Sequence, residues 1–159
     1  MNSFILDTDI AKCAKFHCDQ HVLKMILESL QMLCTVLNKK GIETPYKSTH
    51  VKHPCVLWLE KSFDNFEWLA SLAVALNYEY RFRFSKPNVH KSDSVLKHIE
   101  QHKYHSNGLT SFVQAMPKQY KIINDPITAY RQFYLGEKML FVRWAKRDIP
   151  DWALTSIPL

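Results

Sequence analysis

Glycine is scarce in this sequence, with only 3 residues among 159, so long stretches have no residue that favours a sharp turn. No run of about 18 apolar residues is present, and we therefore predict no membrane-spanning helix. The first residues lack a basic region followed by an apolar one, so we expect no secretory signal. Apolar residues still make up 47% of the chain, enough to build a core. The sequence predicts one compact all-α domain over residues 1–159, a monomer located in the cytoplasm.

Motifs that bind metals are missing as well. The four cysteines, Cys13, Cys18, Cys34 and Cys55, contain no CxxC pair, and reduced thiols are expected. No HExxH motif is present, so we expect neither a metal nor a cofactor. The chain carries a net charge of +6, which favours a polyanionic partner such as nucleic acid.

A long run with neither glycine nor proline lies between Gln20 and Gly41, and its apolar residues recur at helical spacing. We predict a helix from about Val22 to Lys39, with Gly41 at the C′ position. A polar stripe occupies the other side of this helix; its members are His21, Lys24, Glu28, Gln31 and Thr35. Because the rest of the helix is suited to a core, this stripe is the first candidate for a functional site.

The remaining helices are predicted from caps, prolines and apolar periodicity. They are a short helix Ile10 to Phe16 capped by Asp9, a long helix from Pro54 to Phe84 with a break near Ser62, a helix from Ser92 to about Tyr104, and a last helix from Pro126 to about Arg147. Residues 109–124 show no clear period and predict an ordered loop, where functional residues are often found. The tail is expected to pack through Trp152.

The polar stripe has two interpretations. Lys24 and Glu28 at i, i+4 could form an ordinary ion pair on a solvated helix face. Alternatively, Glu28 is a catalytic carboxylate, with His21 two turns and Lys24 one turn before it on the same stripe, and His21 would orient the substrate phosphate or share a proton.

Histidine spacing raises a second possibility. His17 and His21 are one helical turn apart, and His53 follows in a loop, so the three could hold zinc in a metal-dependent hydrolase. This stays an alternative and not the main prediction, because the glutamate that the HExxH motif places directly after its first histidine is replaced here by Cys18.

Aromatic and basic residues alternate in the last helix. Cations that contact phosphate beside rings that stack on bases are what nucleic-acid binding requires. We therefore predict DNA contacts from Tyr130, Arg131, Tyr134, Lys138 and Arg143. A helix with one aromatic core face and one charged face would show the same pattern.

Asp19-Gln20-His21-Val22-Leu23, followed by Glu28 seven residues after the histidine, resembles the N-terminal helix of the pyrimidine-dimer DNA glycosylase family, to which the phage endonuclease V enzymes belong. The segment from Tyr130 to Lys138 is similar to that family's DNA-contacting segment, and His53-Pro54 is loosely similar. The resemblance implies a compact helical fold that acts on double-stranded DNA with Glu28 as the catalytic carboxylate. Some relatives resemble phage-defence enzymes that remove bulky, hypermodified cytosines.

The resemblance also implies roles for other residues. Asn2 corresponds to the residue whose α-amine attacks the sugar in that family, and His53 is expected to bind substrate. Asparagine is a large second residue, so we expect the initiator methionine to remain. A lysine amine holds its proton more firmly than an α-amine, and Lys24 is therefore expected to contact phosphate. We predict a hydrolytic DNA glycosylase that leaves abasic sites, with weak or no strand cleavage; a non-catalytic nucleic-acid-binding module is the alternative.

Overall fold

The computed structural model describes residues 1–138 and 142–154. The described residues form helices and loops and contain no strand, which confirms the all-α prediction. In chain order the helices are α1 Ile10–Phe16, α2 Asp19–Lys39, α3 Pro54–Lys61, α4 Phe63–Phe84, α5 Asp93–Ile99, a 3₁₀ helix Lys118–Tyr120, α6 Pro126–Lys138 and α7 Asp151–Leu154. Within these ranges no helix is both long and apolar enough to cross a membrane.

Helix α2 forms the centre of the core and packs against α3, α4 and α5. Its apolar side is completely buried, as the helical spacing predicts. The helix ends at Lys39, and Gly41 follows with φ of +81°, a left-handed conformation that glycine adopts without steric cost. The predicted end of this helix is therefore confirmed.

The predicted break near Ser62 is also confirmed. Ser62 has an extended backbone and separates α3 from α4, and its hydroxyl accepts a hydrogen bond from the Asp64 N–H as an N-cap. The Asp64 carboxylate accepts a further hydrogen bond from the Gly108 N–H at 3.0 Å. This contact ties the loop after α5 to the start of α4.

Two helices end earlier than predicted. Helix α5 ends at Ile99, because Tyr104 leaves the helical path to pack on Phe63 and donate to the Leu59 carbonyl. Helix α6 ends at Lys138. Residues 139–141 are not among the described residues, and residues 144–147 form a turn.

That turn is non-helical because other elements hold it. The Trp144 indole donates to the Phe16 carbonyl at 2.9 Å, and the Asp19 carboxylate accepts from the Ala145 N–H. Lys146 has a positive φ of 58°. Trp152 packs edge-on against Phe16, so the predicted packing of the tail is confirmed.

Candidate active site

The candidate site is centred on Glu28, which lies on the polar stripe of α2 and leaves 13% of its side chain exposed. The α-amine of Met1 lies 3.9 Å from its Oε2, and the backbone N–H of Asn2 donates to the same oxygen at 3.2 Å. The Lys24 ammonium is 3.4 Å from Oε1. The carboxylate therefore has a cation on each side, and the predicted Lys24–Glu28 pair is present.

The N-terminus reaches Glu28 because the segment after it is buried. Phe4, Ile5 and Leu6 are all in the core and fix the path of the chain. The Asn2 side chain donates to the Ala115 carbonyl at 2.8 Å and accepts from the Ser3 N–H at 2.7 Å. Asn2 is thus held by the 109–124 loop, where functional residues were expected.

His53 lies beside the N-terminus and is partly buried. Its Nδ1 accepts a hydrogen bond from the Cys55 N–H at 3.1 Å, which caps α3 and leaves the proton of the neutral ring on Nε2. Burial lowers the pKa of His53, and the positive terminal amine and His50 lower it further, while a hydrogen bond with the Met1 backbone and the charge of Glu28 oppose the change. His53 is therefore a neutral imidazole at neutral pH, next to the terminus that contacts Glu28.

The loop before His53 is held by the far end of the same stripe. The Thr35 hydroxyl on α2 accepts from the Thr49 N–H at 3.1 Å and donates its own proton to the Gln31 carbonyl at 2.8 Å. The next residue, His50, has a positive φ of 49°, and its Nδ1 lies 2.7 Å from the Thr49 hydroxyl. A strained, exposed histidine is a feature of functional loops. No local pattern in the sequence indicates this arrangement around His50.

Cys55 is the thiol nearest to Asn2, with its sulfur 3.7 Å from the Asn2 side-chain oxygen. Burial raises the pKa of Cys55, so the group remains a thiol and is a poor nucleophile at neutral pH. All four cysteines are buried and free.

His21 is buried, although the stripe on which it lies was expected to face substrate. Its ring stacks on Phe4 at 4.5 Å between centroids, and its Nδ1 lies 2.9 Å from the Tyr134 hydroxyl. These contacts give His21 a part in positioning the N-terminal segment. Direct contact between His21 and substrate stays a prediction.

The predicted DNA contacts of Tyr130 and Tyr134 are wrong for this structure. Both side chains are fully buried, because the aromatic face of α6 turns toward the core. The Tyr130 hydroxyl donates to the Val113 carbonyl, and that of Tyr134 accepts from the Cys18 N–H. Neither ring can stack on a base in this conformation.

Arg131 is also largely committed to the fold. Its guanidinium donates to the Leu6 carbonyl at 2.9 Å and pairs with Asp7 at 3.1 Å. It lies over the rings of Phe16 and Trp152. Arg131 therefore holds the N-terminal segment against α6, and since 26% of its side chain is exposed, its contact with phosphate stays a prediction.

The other predicted DNA contacts have different outcomes. Lys24 is well exposed, with 66% of its side chain accessible, and Arg143 is exposed too. The side chain of Lys138 lies outside the described part of the structure. DNA contact by all three remains a prediction.

The structure gives no support to a metal site. Among residues 1–138 and 142–154, no three His, Cys, Asp or Glu side chains are placed to hold an ion. His17 is fully buried and its Nδ1 lies 2.7 Å from the Cys13 carbonyl, whereas His53 uses its Nδ1 to cap α3.

Comparison of the chain with protein-family models, with curated proteins and with solved structures found no match. The functional assignment therefore depends on the chemistry of the Glu28 site.

Proposed function

We propose that this protein is a DNA glycosylase that hydrolyses the N-glycosidic bond of a damaged or modified pyrimidine, with Glu28 as the catalytic carboxylate. The observation that supports this function best is the setting of Glu28. It lies on the central helix of the core but keeps an exposed edge, with the Met1 amine and the Lys24 ammonium within 4 Å of it.

Hydrolysis of an N-glycosidic bond passes through a sugar with positive charge shared between C1′ and the ring oxygen. A fixed carboxylate beside C1′ stabilises that charge and orients the water that attacks C1′. As the C1′–N bond breaks, the water gives its proton to the carboxylate and its oxygen to C1′. The departing base takes a proton from solvent, and an abasic site remains.

The cations beside Glu28 have roles in this scheme. Lys24 is exposed enough to exchange its contact with Glu28 for a DNA phosphate. The Met1 amine lies in an ion pair with Glu28, and in that pair it serves as an electrostatic partner rather than as a nucleophile. We therefore retain the hydrolytic route, with weak or no strand cleavage.

The class of substrate rests on the resemblance to the pyrimidine-dimer glycosylases. That resemblance suggests a damaged pyrimidine or a bulky, hypermodified cytosine of phage DNA, and hence a role in DNA repair or antiviral defence. An enzyme of this class must extrude a nucleotide from the duplex, which costs a few kcal/mol that backbone contacts offset. The net charge of +6 is consistent with such contacts.

Replacing Glu28 by glutamine tests the function. Duplexes with defined modified pyrimidines are incubated with protein, and abasic sites are counted. We expect Glu28→Gln to lower the rate by about 100- to 1000-fold, as for other lost electrostatic contacts to a transition state, with DNA affinity retained. The matched control is Glu60→Gln, since Glu60 is also a helical glutamate paired with a lysine, Lys39.

The same assay distinguishes the alternatives. A non-catalytic binding module would bind DNA but form no abasic sites with any substrate. Loss of activity in EDTA would indicate a metal-dependent hydrolase, and full activity of Glu28→Gln would contradict the role of Glu28.

Borohydride added during turnover tests the hydrolytic route, because it traps a covalent imine between an amine and the sugar. We expect no trapped adduct. An adduct on Met1 or Asn2 would instead show that a terminal amine attacks, and both residues lie within reach of Glu28. An adduct on Lys24 would contradict the phosphate-binding role of that residue.

A further inference from the structure

The outer face of α4 carries two aromatic rings that the core does not use. Tyr78 is 63% exposed and Phe82 is 39% exposed, although aromatic residues of this size are usually more buried. Their ring planes are parallel within 4°, with centroids 6.3 Å apart. The rings line a surface groove of about 510 Å³ together with Val74, Arg81, Lys86 and Val89. We call these six residues the α4 patch.

Positive charge surrounds the α4 patch. Lys146 donates to the Phe82 carbonyl and the Ser85 hydroxyl, which holds its ammonium 5.8 Å from the Phe82 ring. The Arg147 guanidinium covers the same ring at 4.1 Å. Arg81 and Lys86 line the groove itself.

Two carboxylates lie nearby, and both have cationic partners. Glu79 is buried and paired with Arg83 and Arg147, and Asp93, at the edge of the groove, is 3.8 Å from Lys97. The patch therefore presents ring faces and cations together, which suits a ligand with planar aromatic groups and negative charge.

The α4 patch is separate from the Glu28 site. Asp19 on α2 faces α4, since it pairs with Arg83. The nine residues from Asp19 to Glu28 make about two and a half helical turns, so Glu28 lies on the opposite side of α2. Tyr78 and Phe82 lie on the side of α4 that is exposed to solvent. A single duplex contact centred on Glu28 does not account for this surface.

We propose that the α4 patch is a binding site for single-stranded nucleic acid, independent of the proposed glycosylase activity. Unpaired bases stack on Tyr78 and on the exposed part of Phe82, and Arg81, Lys86 and Lys146 contact the phosphates. A single strand fits better than a duplex, because exposed rings need free base faces and a duplex hides those faces in its own stack.

The test is the affinity of the full-length protein for a fluorescein-labelled thymidine oligonucleotide, measured by anisotropy at several salt concentrations. Stacking of one base on an aromatic side chain is strong enough that Tyr78→Ala should weaken binding by at least about 5-fold. Lys86→Gln should lower the slope of log affinity against log salt by about 0.7. Leu57→Ala is the control, because Leu57 is an exposed apolar residue on another helix, and it should leave binding unchanged.

Two comparisons show whether the binding site is the α4 patch. Glu28→Gln should bind the oligonucleotide as well as the wild type does, and Tyr78→Ala should bind a duplex of the same sequence normally. The proposal is overturned if the oligonucleotide does not bind at low salt or if Tyr78→Ala leaves its affinity unchanged. It is also overturned if Tyr78→Ala weakens duplex binding equally. None of these outcomes depends on whether the protein excises a base.

Discussion

Two glutamates, Glu28 on α2 and Glu79 on α4, lie in long helices of the same core but in opposite chemical settings. Glu79 has 2% of its side chain exposed and accepts hydrogen bonds from two guanidinium groups, those of Arg83 and Arg147. Glu28 has an exposed edge and is paired with two amines, one of them on the exposed side chain of Lys24.

The contacts around Glu79 are structural. Arg83 is fully buried; it also donates to the carbonyls of Lys15 and His17 and pairs with Asp19 on α2, so one guanidinium joins α1, α2 and α4. Although burial acts to raise it, hydrogen bonds from Arg147 and Arg83 hold the pKa of Glu79 below its ordinary value.

The difference separates a carboxylate that stabilises the fold from one that can take part in chemistry. Guanidinium groups bound through several hydrogen bonds do not exchange with a substrate. Single amine contacts at 3.4 and 3.9 Å can be replaced as DNA enters. Sequence reasoning selected Glu28 and did not select Glu79, in agreement with this distinction.

The largest effect is expected for Glu79→Ala. It leaves the charge of buried Arg83 without its main partner, and breaking a buried pair in this way costs about 3–5 kcal/mol of the free energy of unfolding. Urea unfolding followed by circular dichroism measures the change. Glu28→Gln is the comparison and should change stability by less than about 1 kcal/mol. Equal losses in the two variants would remove the distinction between the two glutamates.

His17, which lies near Glu79, makes the free energy of unfolding depend on pH. Burial lowers the pKa of His17 to about 4, from an ordinary value of 6.5. Between these two pH values the unfolded chain binds a proton that the folded chain does not. Stability therefore falls as the pH is lowered from 6.5 to 4, by up to roughly 3 kcal/mol, and this contribution is fully present above pH 6.5.

The free energy of unfolding is measured for the wild type and for His17→Gln at several pH values. His53 and His90 also have a lowered pKa, but they are present in both proteins, so the difference between the two curves reports His17 alone. The variant should show the shallower dependence. Parallel curves for the two proteins would contradict the assignment to His17.

Tyr134→Phe distinguishes a role in the core from a role in DNA binding. The buried Tyr134 hydroxyl accepts from the Cys18 N–H at 2.7 Å, and its loss should cost about 1–3 kcal/mol of stability. DNA affinity of the folded variant should not change. The control is Tyr120→Phe, which removes an exposed hydroxyl bound to Glu137. A loss of affinity without a loss of stability in Tyr134→Phe would restore the original prediction of DNA contact.

Sequence features that act between residues close together in the chain, such as helix caps and helical spacing, predicted most of the helices. The Asp9 side chain caps α1 by accepting from the Lys12 N–H, and α1 has the predicted limits. Gly41 and Ser62 likewise end or interrupt helices through their own backbone and side-chain geometry. The Lys24–Glu28 pair follows from helical spacing alone.

Contacts between distant segments were not predictable in this way. Asn2, whose N–H binds Glu28, is held by the Ala115 carbonyl, and the loop before His53 is held by Thr35 through the Thr49 N–H. Nothing local in the sequence indicates these contacts. On α4, polarity would place Tyr78 inside and Glu79 outside, but the structure shows the reverse because Arg147 from the tail neutralises Glu79. On α6, periodicity showed an aromatic face but not the side on which the core would lie.

The smallest effect concerns Lys24. An exposed i, i+4 pair contributes only about 0.3–0.5 kcal/mol, so Lys24→Gln should hardly change stability. If Lys24 contacts a phosphate of the duplex, the slope of log affinity against log salt should decrease by about 0.9. Arg131→Gln is the matched comparison: its guanidinium is bound to Leu6 and Asp7, so we expect lower stability and an almost unchanged slope. An unchanged slope in Lys24→Gln, or a reduced slope in Arg131→Gln, would place the duplex on the α6 side of the protein and away from the exposed edge of Glu28.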